Sequence, residues 1–146
     1  MRYLYLPFIL QSIIMGIDEG IHLKRGLGLW ERVGHPLDTL TVLVPLSFVV
    51  LNDYSSSHLK SFILLSAFSC LFITKDEFIH RKECSIFENW LHSLLFVLHP
   101  LIFLSTGLLW VEDSQNVLVI IQPIIIFLFM IYQIFKWSLP WKQMIK

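Results

Sequence analysis

The chain has 146 residues, 55% of them hydrophobic, and its eleven Lys and Arg residues balance eleven Asp and Glu residues. Its mean hydropathy of +0.68 exceeds what one soluble core of this size could bury, so lipid is the expected solvent. The balanced charge provides no basic field for nucleic acid, which excludes that class of partner. The spacing of Cys70 and Cys84 is not that of a disulfide framework or a paired-cysteine zinc motif, so both are expected to be free thiols.

Five stretches are apolar and long enough to cross a membrane as a helix of about 20 residues. They are expected at about residues 3–22, 31–51, 59–80, 85–110 and 117–137. The short polar segments between them are typical of tight turns between antiparallel neighbours. The expected fold class is all-α, a polytopic membrane helical bundle of about five transmembrane helices that forms one membrane domain over residues 1–146.

Positively charged residues indicate the orientation, because Lys and Arg concentrate in cytoplasmic loops. They flank the first turn, the third turn and the C-terminal tail, whereas the other side is not positive. The expected location is a bacterial inner membrane, with the N-terminus outside and the C-terminus in the cytoplasm. The first apolar stretch contains Asp18 and Glu19, and no small-residue cleavage site follows it. We therefore expect it to persist as a membrane segment.

An internal repeat joins two halves of the chain. Residues 18–22 (DEGIH) match residues 76–80 (DEFIH) at four of five positions, and residues 30–35 (WERVGH) line up with residues 87–92 (FENWLH). Each half is thus expected to be a helical hairpin, with Glu-x-x-His closing its first helix and Glu-x-x-x-His opening its second. The predicted repeats cover about residues 3–51 and 59–110, related by a pseudo-twofold axis along the membrane normal, with an extra C-terminal helix at about 117–137.

The repeated acids and histidines are the candidate ligands of a metal site. Residues three or four apart share a helix face, so each of four helices presents one Glu and one His at the same depth. Four carboxylates and four imidazoles predict a site for two transition-metal ions. The predicted ligands are Glu19, His22, Glu31, His35, Glu77, His80, Glu88 and His92. Further candidates, as additional ligands or as groups that orient ligands, are Asp38, His99, Asp18 and Asp76.

This spacing resembles that of the di-iron carboxylate helical bundles, in which two Glu-x-x-His motifs combine with a Glu from each of two other helices. Membrane-associated members, such as alternative oxidases and quinone hydroxylases, activate oxygen. On this resemblance the two motifs are Glu19 with His22 and Glu77 with His80, and the single acids are Glu31 and Glu88. The additional histidines, His35 and His92, depart from the pattern, so iron is favoured while zinc, manganese or copper stay open.

The resemblance implies a metal-dependent oxidoreductase that acts on a lipid, acyl or quinone-type substrate and takes electrons from an external donor. Three alternatives stay open: a di-zinc membrane hydrolase, a non-enzymatic metal-binding or transport protein, and a haem site on His92 and His99. Transport is disfavoured, because the polar residues of the outer helix halves, such as Gln11, Ser66 and Ser69, are scattered and suggest no continuous ion path. The sequence assigns no catalytic residue.

Overall fold

The computed structural model describes residues 2–78 and 84–139 of the chain. This part of the protein is helical and contains no strand. Five helices follow one another: α1 (Leu6–Arg25), α2 (Leu29–Leu51), α3 (Ser56–Phe72), α4 (Ile86–Glu112) and α5 (Val117–Gln133). Short helical turns extend three of them: the 3-10 turns Arg2–Tyr5 and Ile73–Asp76 at α1 and α3, and the π-helical turn Ile134–Ser138 at α5.

Each helix, taken with its extension, is long and apolar enough to cross a membrane. The candidate spans are Tyr3–Arg25, Leu29–Leu51, Ser56–Asp76, Ile86–Glu112 and Val117–Ser138. The predicted all-α class and the number of helices are therefore confirmed. The helix ends differ from the predicted ones by a few residues, and the predicted end of the third helix, at residue 80, lies outside the described residues.

The helix ends near the acids and histidines are fixed by local hydrogen bonds. Gly26 ends α1 with a φ of 80°, which favours glycine, and its N–H donates to a carbonyl of the last turn at 2.8 Å. Glu31 and Glu88 are the third residues of α2 and α4. Their carboxylates accept the N–H groups of Gly28 and Ser85, at 2.8 and 3.4 Å. These bonds turn both acidic side chains toward the start of their own helix. We call this end of the bundle, formed by residues 26–28 and 84–85, the Arg25 end.

Helix packing does not follow the order of the chain. Helix α1 packs mainly against α4, and α2 packs mainly against α5 and α3, while α1 and α2 have little direct contact with each other. The first two helices therefore do not form the closely packed antiparallel pair that the short turn predicted. The apolar core lies toward the opposite end, around the fully buried Trp110 and Leu46. The acids and histidines occupy the space between α1, α2 and α4 at the Arg25 end.

Candidate metal centre

Four side chains from α1 and α4 form one buried group, which we call the central group: Asp18, His22, Glu88 and His92. Each helix supplies an acid and a histidine four residues apart, on one face. One potential ligand atom from each residue lies within 4.8 Å of the others, and none of the four residues is more than 8% exposed. Two carboxylates and two imidazoles at this spacing are a donor set that several divalent transition metals accept.

Contacts within the central group connect the two helices. His92 Nε2 lies 3.0 Å from Asp18 Oδ1, a hydrogen bond between buried groups. His22 Nε2 lies 3.6 Å from Asp18 Oδ2 and 3.5 Å from Glu88 Oε1. These two distances exceed hydrogen-bonding range, and among the described residues His22 Nε2 has no hydrogen-bond partner. At these distances the nitrogen either carries a proton and forms ion pairs with the two carboxylates, or offers its lone pair to a metal ion.

Two further groups continue from the central group toward α3. His22, Glu31 and His35 have ligand atoms within 4.8 Å of one another, and so do His35, Asp38 and Asp76. The rings of His22 and His35 are stacked with their centroids 4.9 Å apart. Since successive groups share a residue, the arrangement is one continuous cluster rather than separate sites.

Two cations balance part of the negative charge of this cluster. The Arg25 guanidinium donates to Glu31, at 2.5 and 3.1 Å, and to Glu88, at 2.9 and 3.2 Å. Lys75 Nζ donates to Asp38 at 2.5 Å and to the adjacent Asp76 at 2.9 Å. The carboxylates of the cluster are Asp18, Glu31, Asp38, Asp76 and Glu88. Carboxylates therefore outnumber these cations by three, so the cluster has an excess of buried negative charge unless further cations or protons bind.

A cavity of about 140 Å³ adjoins the cluster. Its polar wall includes six residues of the cluster, namely Asp18, His22, His35, Asp38, Asp76 and His92, and its other wall is mostly apolar. The apolar side chains are Met15, Val42, Ile73, Leu95, Phe96, Ile126 and Phe129. Gln11 lies in the wall on the side away from the Arg25 end, and its buried Oε1 has no hydrogen-bond partner in the described part of the chain. The cavity is thus able to take a molecule that is polar at one end and apolar elsewhere.

His99 lines this cavity at a deeper level and belongs to none of the ligand groups found in the described residues. Its Nε2 lies 2.9 Å from Ser69 Oγ, Ser69 Oγ donates to Thr41 Oγ1 at 3.0 Å, and Thr41 donates to the carbonyl of Asp38 at 2.8 Å. Each hydroxyl has one proton and donates it away from the histidine, so Nε2 must carry the imidazole proton. These bonds tie His99 on α4 to α3 and α2 and place a proton on its Nε2.

Two predicted ligands point elsewhere. The Glu19 carboxylate accepts hydrogen bonds from Tyr132 Oη at 2.6 Å and from Trp137 Nε1 at 3.1 Å, which ties α1 to the end of α5. Glu77 is exposed. Their neighbours Asp18 and Asp76, expected to lie off the ligand face, are both 8% exposed and belong to the ligand groups. In each pair of adjacent acids, the aspartate therefore faces the cluster and the glutamate does not, which is the reverse of the prediction.

His80 lies outside the described residues, whereas the remaining predicted ligands do come together. The signal that distinguishes Asp18 from Glu19 is present in the sequence. A carboxylate stands four residues before a histidine in all four helices, at 18 and 22, 31 and 35, 76 and 80, and 88 and 92. The spacing of four is the shared rule, and the spacing of three occurs only in the first helix of each predicted repeat.

Cys84 is a candidate ligand that the sequence did not reveal. Its Sγ lies within 4.8 Å of carboxylate oxygens of Glu31 and Glu88, at the Arg25 end. Burial, with the neighbouring Glu88 carboxylate as the next cause, raises the pKa of the Cys84 thiol to about 12. Cys70 is also a free thiol, as predicted, and both side chains are half-buried.

The fold and this cluster together define a class: a helical bundle of membrane type with buried His, Asp and Glu groups able to hold metal ions. No family model, curated protein or solved structure matches the chain.

Proposed function

We propose that this protein is an integral membrane metalloenzyme that binds a transition-metal ion at the central group. The observation that carries the proposal is the convergence of Asp18, His22, Glu88 and His92 in one buried group beside a half-apolar cavity. Isolated acids in a membrane span are costly, so a buried set of them beside histidines is a functional site by default. The excess of three carboxylates over cations supports a divalent ion as the missing positive charge.

A second ion is proposed at His35, Asp38 and Asp76, whose ligand atoms also lie within 4.8 Å of one another. In the predicted repeat, Asp76 corresponds to Asp18 and His35 to His92. The contact between Asp18 and His92 joins α1 to α4, and the proximity of Asp76 to His35 joins the end of α3 to α2. In each case the aspartate of one predicted repeat lies beside the histidine of the other. This correspondence supports the pseudo-twofold repeat and a two-metal site. The mixed imidazole and carboxylate donors suit iron, with zinc and manganese as alternatives.

The reaction proposed is an oxidation of a lipophilic substrate of the lipid, acyl or quinone type. The bound metal would supply the redox chemistry, and electrons would come from an external donor. His22 and His92 provide nitrogen donors, while Asp18 and Glu88 provide negative charge that favours the ion. Phe96 and the other apolar side chains of the cavity bind the apolar part of the substrate and exclude water. We place the protein in a bacterial inner membrane with the Arg25 end toward the cytoplasm, on the charge distribution of the loops.

Metal analysis of protein purified without chelator tests this proposal. We expect one to two equivalents of a transition metal per chain and loss of at least the central ion in His22→Ala. His58→Ala is the matched control, because His58 lies at the opposite end of the bundle and contacts the Asp53 carbonyl and the ring of Phe48. Equal metal content in both variants, or no metal in fresh wild-type protein, would refute the site.

Replacement of the native metal by zinc then distinguishes an oxidoreductase from a hydrolase. An oxidoreductase loses its activity with zinc, because zinc has no redox chemistry, whereas a hydrolase that activates water retains it. Bound metal with neither activity would favour a metal-binding or transport protein.

A further inference from the structure

Arg25 occupies an unusual position for a cation at a helix end. It is the last residue of α1, and its guanidinium lies between two carboxylates from other helices, Glu31 on α2 and Glu88 on α4. The side chains of both acids are only 1% exposed, whereas that of Arg25 is 26% exposed. The guanidinium therefore lies on the outer side of the two carboxylates and covers them from the Arg25 end.

The same two carboxylates have a third potential ligand beside them. Cys84 Sγ is within 4.8 Å of both, so two oxygens and one sulfur surround the position of one cation. A thiolate with carboxylates favours thiophilic divalent ions such as zinc and cadmium. From the inner side, the buried His22 Nε2 points at Glu88 Oε1 from 3.5 Å and has no hydrogen-bond partner among the described residues. This second observation identifies the position as a ligand site rather than an acidic cluster that arginine merely neutralises.

We propose that Glu31, Glu88 and Cys84 form an entrance site for a thiophilic divalent cation, and that Arg25 closes this site when no ion is bound. This proposal rests on the metal function proposed above, because the entrance site shares Glu88 with the central group. An ion held there is one shared ligand away from His22 and Asp18. The entrance site would therefore capture ions from the aqueous side and supply the buried groups.

The exchange is balanced in charge. The incoming ion brings two positive charges, the Cys84 thiol releases one proton as its sulfur binds the ion, and the Arg25 guanidinium moves to solvent. One positive charge leaves with Arg25 and the new thiolate adds one negative charge, so the net charge beside Glu31 and Glu88 is unchanged. Arg25 is already partly exposed and its side chain is long, so this movement needs no change in the helices.

Cadmium titration of the full chain in detergent tests the proposal, because a cadmium–thiolate bond produces an ultraviolet charge-transfer band. We expect Arg25→Gln to bind cadmium at the thiol about tenfold or more tightly than the wild type, with the band developing in parallel. Cys84→Ser should abolish the band in both backgrounds. Cys70→Ser is the matched control, and it should leave the band unchanged. A band that persists in Cys84→Ser, or equal affinity in Arg25→Gln and wild type, would overturn the proposal.

Two further measurements keep the outcome decisive. Arg25→Lys keeps the charge but loses the paired hydrogen bonds of guanidinium, and it should give an intermediate affinity if Arg25→Gln does not fold. The central ion gives no thiolate band and is lost in His22→Ala, so the two sites are read separately. A wild type without retained metal, together with a thiol band in Arg25→Gln, would refute the central site and support the entrance site; the reverse result would refute only the entrance site.

Discussion

The clearest test of the cluster compares two adjacent acids of α1 that the sequence and the structure rank in opposite order. The Glu-x-x-His spacing makes Glu19 the ligand and Asp18 an outer residue. In the structure, Asp18 Oδ1 lies 3.0 Å from His92 Nε2, whereas Glu19 faces Tyr132 and Trp137. We therefore expect Asp18→Asn to weaken metal binding strongly and Glu19→Gln to leave it nearly unchanged.

The expected magnitudes follow from these contacts. Loss of a residue that only orients a ligand costs about 10–100-fold in metal affinity, so loss of a carboxylate that itself contacts the ion should cost about 100-fold or more. A factor of 100 corresponds to about 2.7 kcal/mol. In Glu19→Gln the amide oxygen still accepts the hydrogen bond of Tyr132, so we expect a change in affinity of less than about tenfold. Both changes conserve side-chain shape, which makes the pair a controlled comparison.

The assay is competition for zinc between the purified protein and a chromophoric chelator, with metal content measured in parallel. Helicity and thermal unfolding in detergent would show whether each variant is folded. Strong loss of zinc from Glu19→Gln with retention by Asp18→Asn would mean that the Glu-x-x-His spacing identifies the ligands and that the α1 face assigned to the central group is wrong.

Two other predictions concern the opposite end of the bundle and the thiol of Cys84. Gly107→Val should destabilise the packing of α3 on α4 by about 1–3 kcal/mol, because a Cβ at this position would lie 3.1 Å from the ring of Phe62. The control is Gly16→Val, because nothing lies within 4 Å of a Cβ at that position. Equal unfolding temperatures of the two variants would contradict the packing. In a Cys70→Ser background, Cys84 should be alkylated at pH 8 about a hundredfold or more slowly in the folded than in the unfolded chain, because a thiol with a pKa of about 12 deprotonates only at higher pH. Similar rates in the two states would contradict that shift.

The helices were predictable because their signal is local. Length and hydropathy fixed all five spans to within a few residues, and Ser85 with Glu88 even forms the capping box that begins α4. The packing partners were not predictable in this way. A three-residue connection predicts that α1 and α2 are packed neighbours, yet α1 lies on α4. The contacts between α1 and α2 at this end are made by long side chains, such as Arg25 with Glu31, and no local pattern carries that information.

The candidate site was predictable in its residue types and depth, and less so in its details. His22, Glu31, Glu88 and His92, all among the predicted ligands, lie in overlapping groups of potential ligand atoms. Glu19 differs because donors for its carboxylate come from α5, more than a hundred residues further along the chain. The approach of Cys84 to the cluster also depends on tertiary packing, since the residue stands in a short polar segment without any metal-binding spacing.

The strongest competing explanation of the cluster is a network of ion pairs that only holds the helices together. Such a network would match its acids with cations, but Arg25 and Lys75 each contact two carboxylates, at distances of 2.5 to 2.9 Å, so two of these four negative charges stay unbalanced. The fifth acid, Asp18, lies instead against two imidazoles, His92 and His22, which pair with it as cations only when they are protonated. The two explanations also differ at the buried His22 Nε2, which lies 3.6 Å from Asp18 Oδ2 and 3.5 Å from Glu88 Oε1. A structural network requires a proton on this nitrogen, whereas a metal site requires its lone pair, so loss of bound zinc in His22→Ala would distinguish the metal site from a network of ion pairs.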